Sequence, residues 1–218
     1  PGGVLMSDGY EVYGGIAQAH GLTHLGCWAH ARRYFVEAEA VIPKASRAPE
    51  QIPTQFIAAI GELYAVESEA RERKLDPEAC RQLREAKARP VLARIETMLL
   101  AHLHAVVPNS LLGKALHYLS AQWPKLIRYV ENGAWPIDNN LAENAIRPFV
   151  VGRRNWLFAD TVAGAHASAN LYSLVETCKA NGVDPYAYLV SLFSKLPTAK
   201  TADDFEALLP WSLAGCRR

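Results

Sequence analysis

The 218-residue sequence carries almost no excess charge: 23 lysines and arginines face 22 aspartates and glutamates, for a formal net charge of +1. That balance excludes a uniformly basic nucleic-acid coat, so any contact with a polyanion has to come from local clusters. Long apolar runs are missing as well. Nothing is long enough to cross a bilayer, and the first residues lack the charged start, apolar middle and small-residue cleavage site of a secretory leader. The cytoplasm is the expected location, and no membrane partner is expected. Cysteine is sparse. Cys27, Cys80, Cys178 and Cys216 lie far apart in a chain too large to need disulfide staples, so they are expected to be reduced thiols. Internal repeats and low-complexity tracts are absent. So is an initiator methionine: the chain opens Pro1-Gly2-Gly3, and a piece of a longer protein is expected.

What is present is enough hydrophobic residue, half of the total, to bury a substantial core. Val4 to Ser7 is a short apolar run closed by Asp8-Gly9, which reads as a buried strand and a tight turn. Glu11 to His20 reads as a helix, Leu22 to Cys27 as a second strand, and Trp28 to Val41 as another helix. From there to about Trp135 amphipathic helical patterns follow one another, with breaks at Pro43 to Pro53, Asp76-Pro77 and Pro108-Asn109. Pro90 is expected to start a new helix or kink an old one. The interleaved acids and bases between Glu67 and Arg94 read as a solvated helix surface laced by i,i+4 pairs. Asp138 is expected to cap a helix that Pro148 stops, leaving Phe149 to Phe158 as a basic and aromatic connector. Helices over Gly164 to Ala180, from Asp184-Pro185, and from Thr201 complete the pattern.

Few residues stand out as carriers of chemistry. Asp8 sits at the end of a buried strand, although an acid there is ordinarily a turn former. The stretch Asp138 to Pro148 packs three Asn, two acids and one Arg into a short helix of weak intrinsic propensity, with Glu143 and Arg147 one turn apart. Gly152-Arg153-Arg154-Asn155-Trp156 sets two guanidiniums beside an amide and an indole, a combination suited to a DNA backbone and an unstacked base. Cys27 and His30 have the spacing of half a zinc site, but no second Cys/His pair completes it, so packing or hydrogen bonding is the expected role.

Taken together, Ser7-Asp8-Gly9-Tyr10, Cys27-Trp28-Ala29-His30-Ala31-Arg32-Arg33, Ile137 to Pro148, Val151 to Ala159, Leu171 to Thr177 and the tail Lys179 to Leu189 with Leu208-Leu209-Pro210-Trp211 resemble the transposases of the insertion sequence 66 family. The resemblance implies an α/β chain, mostly helical, with a partial ribonuclease-H-like core and a large all-helical insert. It divides the chain into residues 1–30 with the second catalytic Asp, a helical insertion at 31–135, the rest of the core with the catalytic Glu at 136–178, and a helical C-terminal segment at 179–218. By the same resemblance Asp8 and Glu143 are the second and third acids of a DDE triad and ligands of Mg²⁺ or Mn²⁺. Arg147, Arg153, Arg154, Asn155 and Trp156 then contact DNA, both transposon ends and target. The first acid has no candidate before Asp8, so metal-dependent cleavage and strand transfer are expected of the parent protein, acting as a homo-oligomer at the nucleoid, and this chain alone is expected to be inactive. Three alternatives stay open: a non-catalytic DNA-binding or regulatory fragment, a helical protein-interaction module, and a metal nuclease without strand transfer.

Overall fold

In the computed structural model, which describes residues 2–156 and 159–212, the chain begins with a strand, β1 (Val4–Ser7), a helix, α1 (Glu11–Ala19), and a second strand, β2 (Thr23–Gly26). The strands pair in parallel, Val4 opposite Thr23 and Ser7 opposite Gly26. A parallel pair needs a crossover, and α1 supplies it. The carboxyl ends of both strands therefore lie at one edge, where Asp8 and Cys27 follow.

Helices α2 (Trp28–Ala40), α3 (Ile52–Glu72), α4 (Pro77–His102) and α5 (Leu111–Leu126) come next. Each buries one stripe at helical spacing: Trp28, Ala31, Phe35 and Ala38 on α2; Phe56, Ile60, Leu63 and Val66 on α3; Leu83, Val91, Leu92, Ile95 and Leu99 on α4; Leu116, Leu119 and Leu126 on α5. These stripes share one core, within which Phe35 and Phe56 stack at 4.4 Å between ring centres. Cross-helix pairs give the directions. Arg94 meets Glu62 while Arg84 meets Glu67, and Tyr34 meets Tyr118 while Trp28 meets Trp123, so α3 and α4, and likewise α2 and α5, run antiparallel. The chain then passes a 3-10 turn, Ile127–Glu131, to reach α6 (Asn140–Trp156).

The chain divides into two compact units, Pro1–Leu141 and Ala142–Arg218. The second contains most of α6 together with α7 (Val162–Ala180), α8 (Pro185–Lys195) and α9 (Ala202–Ala207). Its own small core gathers Cys178, Val183, Tyr188, Leu192 and Leu208, and the Tyr188 hydroxyl donates to the Leu208 carbonyl at 3.0 Å. The helix starts read from sequence hold here: Asp184 accepts from the Ala187 N–H, and Thr201 and Asp204 form a reciprocal capping box. The described residues are thus mostly helical, with one small two-stranded parallel sheet.

Two expectations need correction. Pro148 does not end its helix, and the stretch after it is no connector: α6 runs on to Trp156, while Leu157 and Phe158 lie outside the described residues. Pro90, expected to start a new helix or kink an old one, lies inside α4 and starts no new helix. Proline removes only its own N–H from the ladder, and both prolines are exposed, so water can satisfy the carbonyl four residues back. The charged surface of α3 and α4 matches its reading, with Arg73–Glu69 and Arg89–Glu85 as i,i+4 pairs, but for one residue. Arg84 is 2% exposed and belongs to the interior.

Candidate active site

The edge where β1 ends is built around a turn. Asp8 Oδ1 accepts the Tyr10 N–H at 3.1 Å, and the Asp8 carbonyl accepts the Tyr118 hydroxyl at 2.6 Å. Gly9 between them has φ +97°, and a Cβ there would come within 2.9 Å of the Gln122 amide and 3.3 Å of the Tyr118 ring. Only glycine suits both conditions. The Asp8 side chain itself is exposed, and among the described residues its Oδ2 accepts no hydrogen bond.

Behind Asp8, Ser7 and His24 share a buried hydrogen bond of 2.8 Å between Oγ and Nε2, tying β1 to β2. Burial lowers the His24 pKa below 6.5, and the nearby cations Lys125 and Arg128 lower it further. As pH falls through 6.5 the unfolded chain binds a proton at His24 that the folded chain refuses, so His24 destabilises the fold on the acid side and is neutral above that value. Urea denaturation at about pH 7.5 and 5.5 checks this. Wild type is expected to lose more stability between the two than His24→Gln; equal losses would exclude the effect.

At the end of β2, Cys27 is fully buried and its thiol is pushed up by burial, partly offset by backbone N–H groups of Asn139, His30 and Ala29. Burial thus favours its neutral form. The neighbouring contacts tell why: the Trp28 N–H donates to the Ile137 carbonyl at 3.2 Å, and the Trp28 indole donates to the Leu126 carbonyl at 2.9 Å. Tyr64 donates to Asp138 Oδ2 at 2.8 Å, and Asp138 Oδ1 accepts the Asn140 N–H at 3.1 Å. The Cys27-Trp28-Ala29-His30 segment and the first residues of the Asn- and Glu-rich stretch are therefore one contact region. No group of three or more His, Cys, Asp or Glu side chains disposed to hold a metal occurs among the described residues.

Sequence reasoning missed Tyr64, Tyr118 and Arg84. Arg84 closes the return path to α6. Its five N–H donors go to both Glu67 oxygens at 2.8 and 2.7 Å and to the carbonyls of Tyr129, Asn132 and Trp135 at 2.8, 2.8 and 3.0 Å. A signal existed, because position 84 falls on the apolar stripe of α4, between Cys80, Leu83 and Ala88. The two tyrosines had none, since their partners lie 74 and 110 positions away.

In the second unit, Ala142, Ala145, Ile146 and Phe149 of α6 line a groove against α7 with Tyr172, whose ring meets Phe149 edge-on at 5.1 Å. Glu143 is half-buried in the first turn of α6, one turn before the exposed Arg147. Arg153 is exposed near the helix end; the side chains of Arg154, Asn155 and Trp156 lie outside the described residues.

The chain is α/β, with an acid at the carboxyl end of a parallel strand, followed along the sequence by a helical body and then by a helix bearing a second acid. The profile of the Transposase IS66 family matches residues 1–167, and that of the IS66 C-terminal element matches residues 173–211. The chain belongs to the IS66 transposase family. Two uncharacterized proteins of Sinorhizobium fredii, y4qI and y4jD, are each 32% identical to it over 96% of its length, and a third, y4hP, is 29% identical over the same share. The chain spans only 39%, 41% and 39% of these relatives. No solved structure matches it. Among the described residues, no helix is long and apolar enough to cross a membrane.

Proposed function

We propose that the chain is part of a DDE transposase that cuts and joins the DNA ends of an insertion sequence, with Asp8 and Glu143 as two of its catalytic acids. The observation that carries the reading is the exposed Asp8 carboxylate at the carboxyl end of β1, in a chain of this family. In this reading β1, α1 and β2 are part of a ribonuclease-H-like core, residues 31–135 are its helical insertion, residues 136–178 complete the core and residues 179–218 form the family's C-terminal segment. The remaining acid and the elements that recognise transposon ends are sought in the further length of the relatives, and the active complex contains more than one copy. Its substrate places it in the cytoplasm, at the nucleoid.

Mg²⁺ or Mn²⁺ fits the donors: carboxylate oxygens are hard, and Asp8 Oδ2 is turned to no other partner among the described residues. Such an ion would activate the attacking water or 3′-hydroxyl and stabilise the leaving oxygen. The chain's own contribution is positional. The Tyr10 N–H and the Tyr118 hydroxyl fix the Asp8 turn, Tyr64 holds Asp138 at the head of the Glu143 helix, and Arg147, Arg153 and Arg154 bind phosphates, with Asn155 and Trp156 at the strand end.

The test uses the intact transposase and a labelled DNA carrying the element's ends. Asp8→Asn and Glu143→Gln are each expected to cut strand cleavage at least about a hundredfold, the scale of losing metal-stabilised charge in the transition state. Thermal stability is expected to stay unchanged for Asp8→Asn. Cleavage at the wild-type rate in either variant removes that residue from the reaction. If both variants retain DNA binding and the wild-type protein never cleaves, the non-catalytic DNA-binding reading takes its place.

A further inference from the structure

The reading above leaves unused the flank of the Asp8 turn. Tyr34 of α2 and Tyr118 of α5 lie face to face, ring centres 4.5 Å apart and planes tilted by 30°. Tyr118 is the residue whose hydroxyl holds the Asp8 carbonyl, so this aromatic pair is bonded directly to the turn that carries the acid. One ring of the pair, Tyr34, is 37% exposed, and Tyr10, two residues beyond Asp8, is 63% exposed. Core packing does not account for such exposure of two large rings beside one turn.

The charge at this flank points the same way. Arg33 is exposed and close enough to Tyr118 to oppose the upward push that burial gives the phenol. Neither Arg33 nor its neighbour Arg32 forms an ion pair among the described residues, whereas Arg73, Arg81, Arg84, Arg89 and Arg94 each have a carboxylate. An unpaired guanidinium beside exposed tyrosine faces matches a chain of alternating phosphates and planar bases. A duplex offers the phosphates but keeps its base faces stacked inside, so the rings would find nothing to cover them.

We infer that Tyr34, backed by Tyr118 and flanked by Arg33, is a stacking subsite for an unpaired base of single-stranded DNA next to the strand position served by Asp8. This rests on the reading of the protein as a DNA-processing enzyme and adds that the end it handles is locally opened. Tyr34 receives the base on its outer face, Arg33 holds the adjoining phosphate, and the Tyr118 hydroxyl transmits the position of the pair to the Asp8 turn.

The experiment measures binding of the full 218-residue chain to a fluorescent oligodeoxythymidylate about 12 nucleotides long, and to a blunt duplex of the same length, in EDTA. Tyr34→Ala is expected to weaken single-strand binding roughly tenfold, the scale of one lost base stack, and to leave duplex binding unchanged. Tyr34→Phe is expected to bind as wild type. Arg33→Gln is expected to lower the slope of log affinity against log salt by about 0.7 on the single strand. Circular dichroism melts establish that the variants fold. Single-strand affinity that survives Tyr34→Ala, or equal losses on both DNAs, overturns the subsite. A chain that binds DNA but ignores Tyr34, or that binds no single strand at all, refutes the subsite; the transposase reading is decided separately by the cleavage assay on the intact protein.

Discussion

Replacing Arg84 with methionine is expected to lower the stability of the first unit by about 3–5 kcal/mol, the cost of breaking a buried ion pair from one side. The methionine fills most of the volume but leaves the Glu67 carboxylate without its bidentate partner and strips a donor from three backbone carbonyls, those of Tyr129, Asn132 and Trp135. The guanidinium also lies over the Tyr129 ring, 5.0 Å from its centre, a contact that methionine does not replace. Lysine keeps the charge but not the planar fork, so Arg84→Lys is expected to recover only a minor part. Removing both ends, Arg84→Met with Glu67→Leu, is expected to be less harmful than the sum of the two single changes. Urea unfolding followed by the fluorescence of Trp28, Trp123 and Trp135 reads these differences. A shift for Arg84→Met no larger than that for the exposed Arg89→Met would mean that the buried clamp contributes nothing of its own.

The second large effect is expected one turn of chain away. An added Cβ at Gly133 would overlap the Pro77 carbonyl oxygen and lie 2.8 Å from its carbon and 2.9 Å from the Arg81 nitrogen. All three are backbone atoms at the start of α4, so no side chain can rotate aside. The loop from Asn132 to Trp135 has to lift away, and with it the two carbonyls that Arg84 binds. Gly133→Ala is therefore expected to cost the upper end of the roughly 1–3 kcal/mol typical of overpacking. Its effect is expected to be largely redundant with Arg84→Met, because both release the same loop. A double-mutant cycle measures this: full additivity would show that the loop is held elsewhere, and an unimpaired Gly133→Ala would show that α4 yields at its first turn.

Local signals made much of this fold legible. The turn at Asp8-Gly9, the Asp76-Pro77 break, the Asp184-Pro185 helix start and the Thr201 cap each report a hydrogen bond made within four residues, and such bonds are written in adjacent letters. Pro148 misled because a rule about helix interiors is relaxed where the freed carbonyl faces water, which a single sequence does not disclose. Arg84 was read as one more solvated cation because composition dominates a window of alternating charges, although its position on the α4 stripe pointed inward. The proposed acids Asp8 and Glu143, and the Cys27 and His30 pair, stood out only as residue types. The contacts organising the first-unit part of the site did not: Tyr64 with Asp138, Tyr118 with Asp8 and Trp28 with Ile137 join residues whose separation leaves no periodic trace.

The backbone hydrogen bond from the Trp28 N–H to the Ile137 carbonyl bears on how the molecule assembles. For a disordered chain, bringing together two points on the order of a hundred residues apart costs about 4 kcal/mol of closure entropy. Here the span between them is a set of helices, each packed mainly on a neighbour adjacent in sequence or on the first of the set. Once these have docked, α2 starts and α5 finishes side by side, with the Trp28 indole already on the Leu126 carbonyl. The long excursion then acts as a hairpin of negligible effective length, and the strand edge bearing Asp8 meets the Ile137–Asn140 segment as near neighbours.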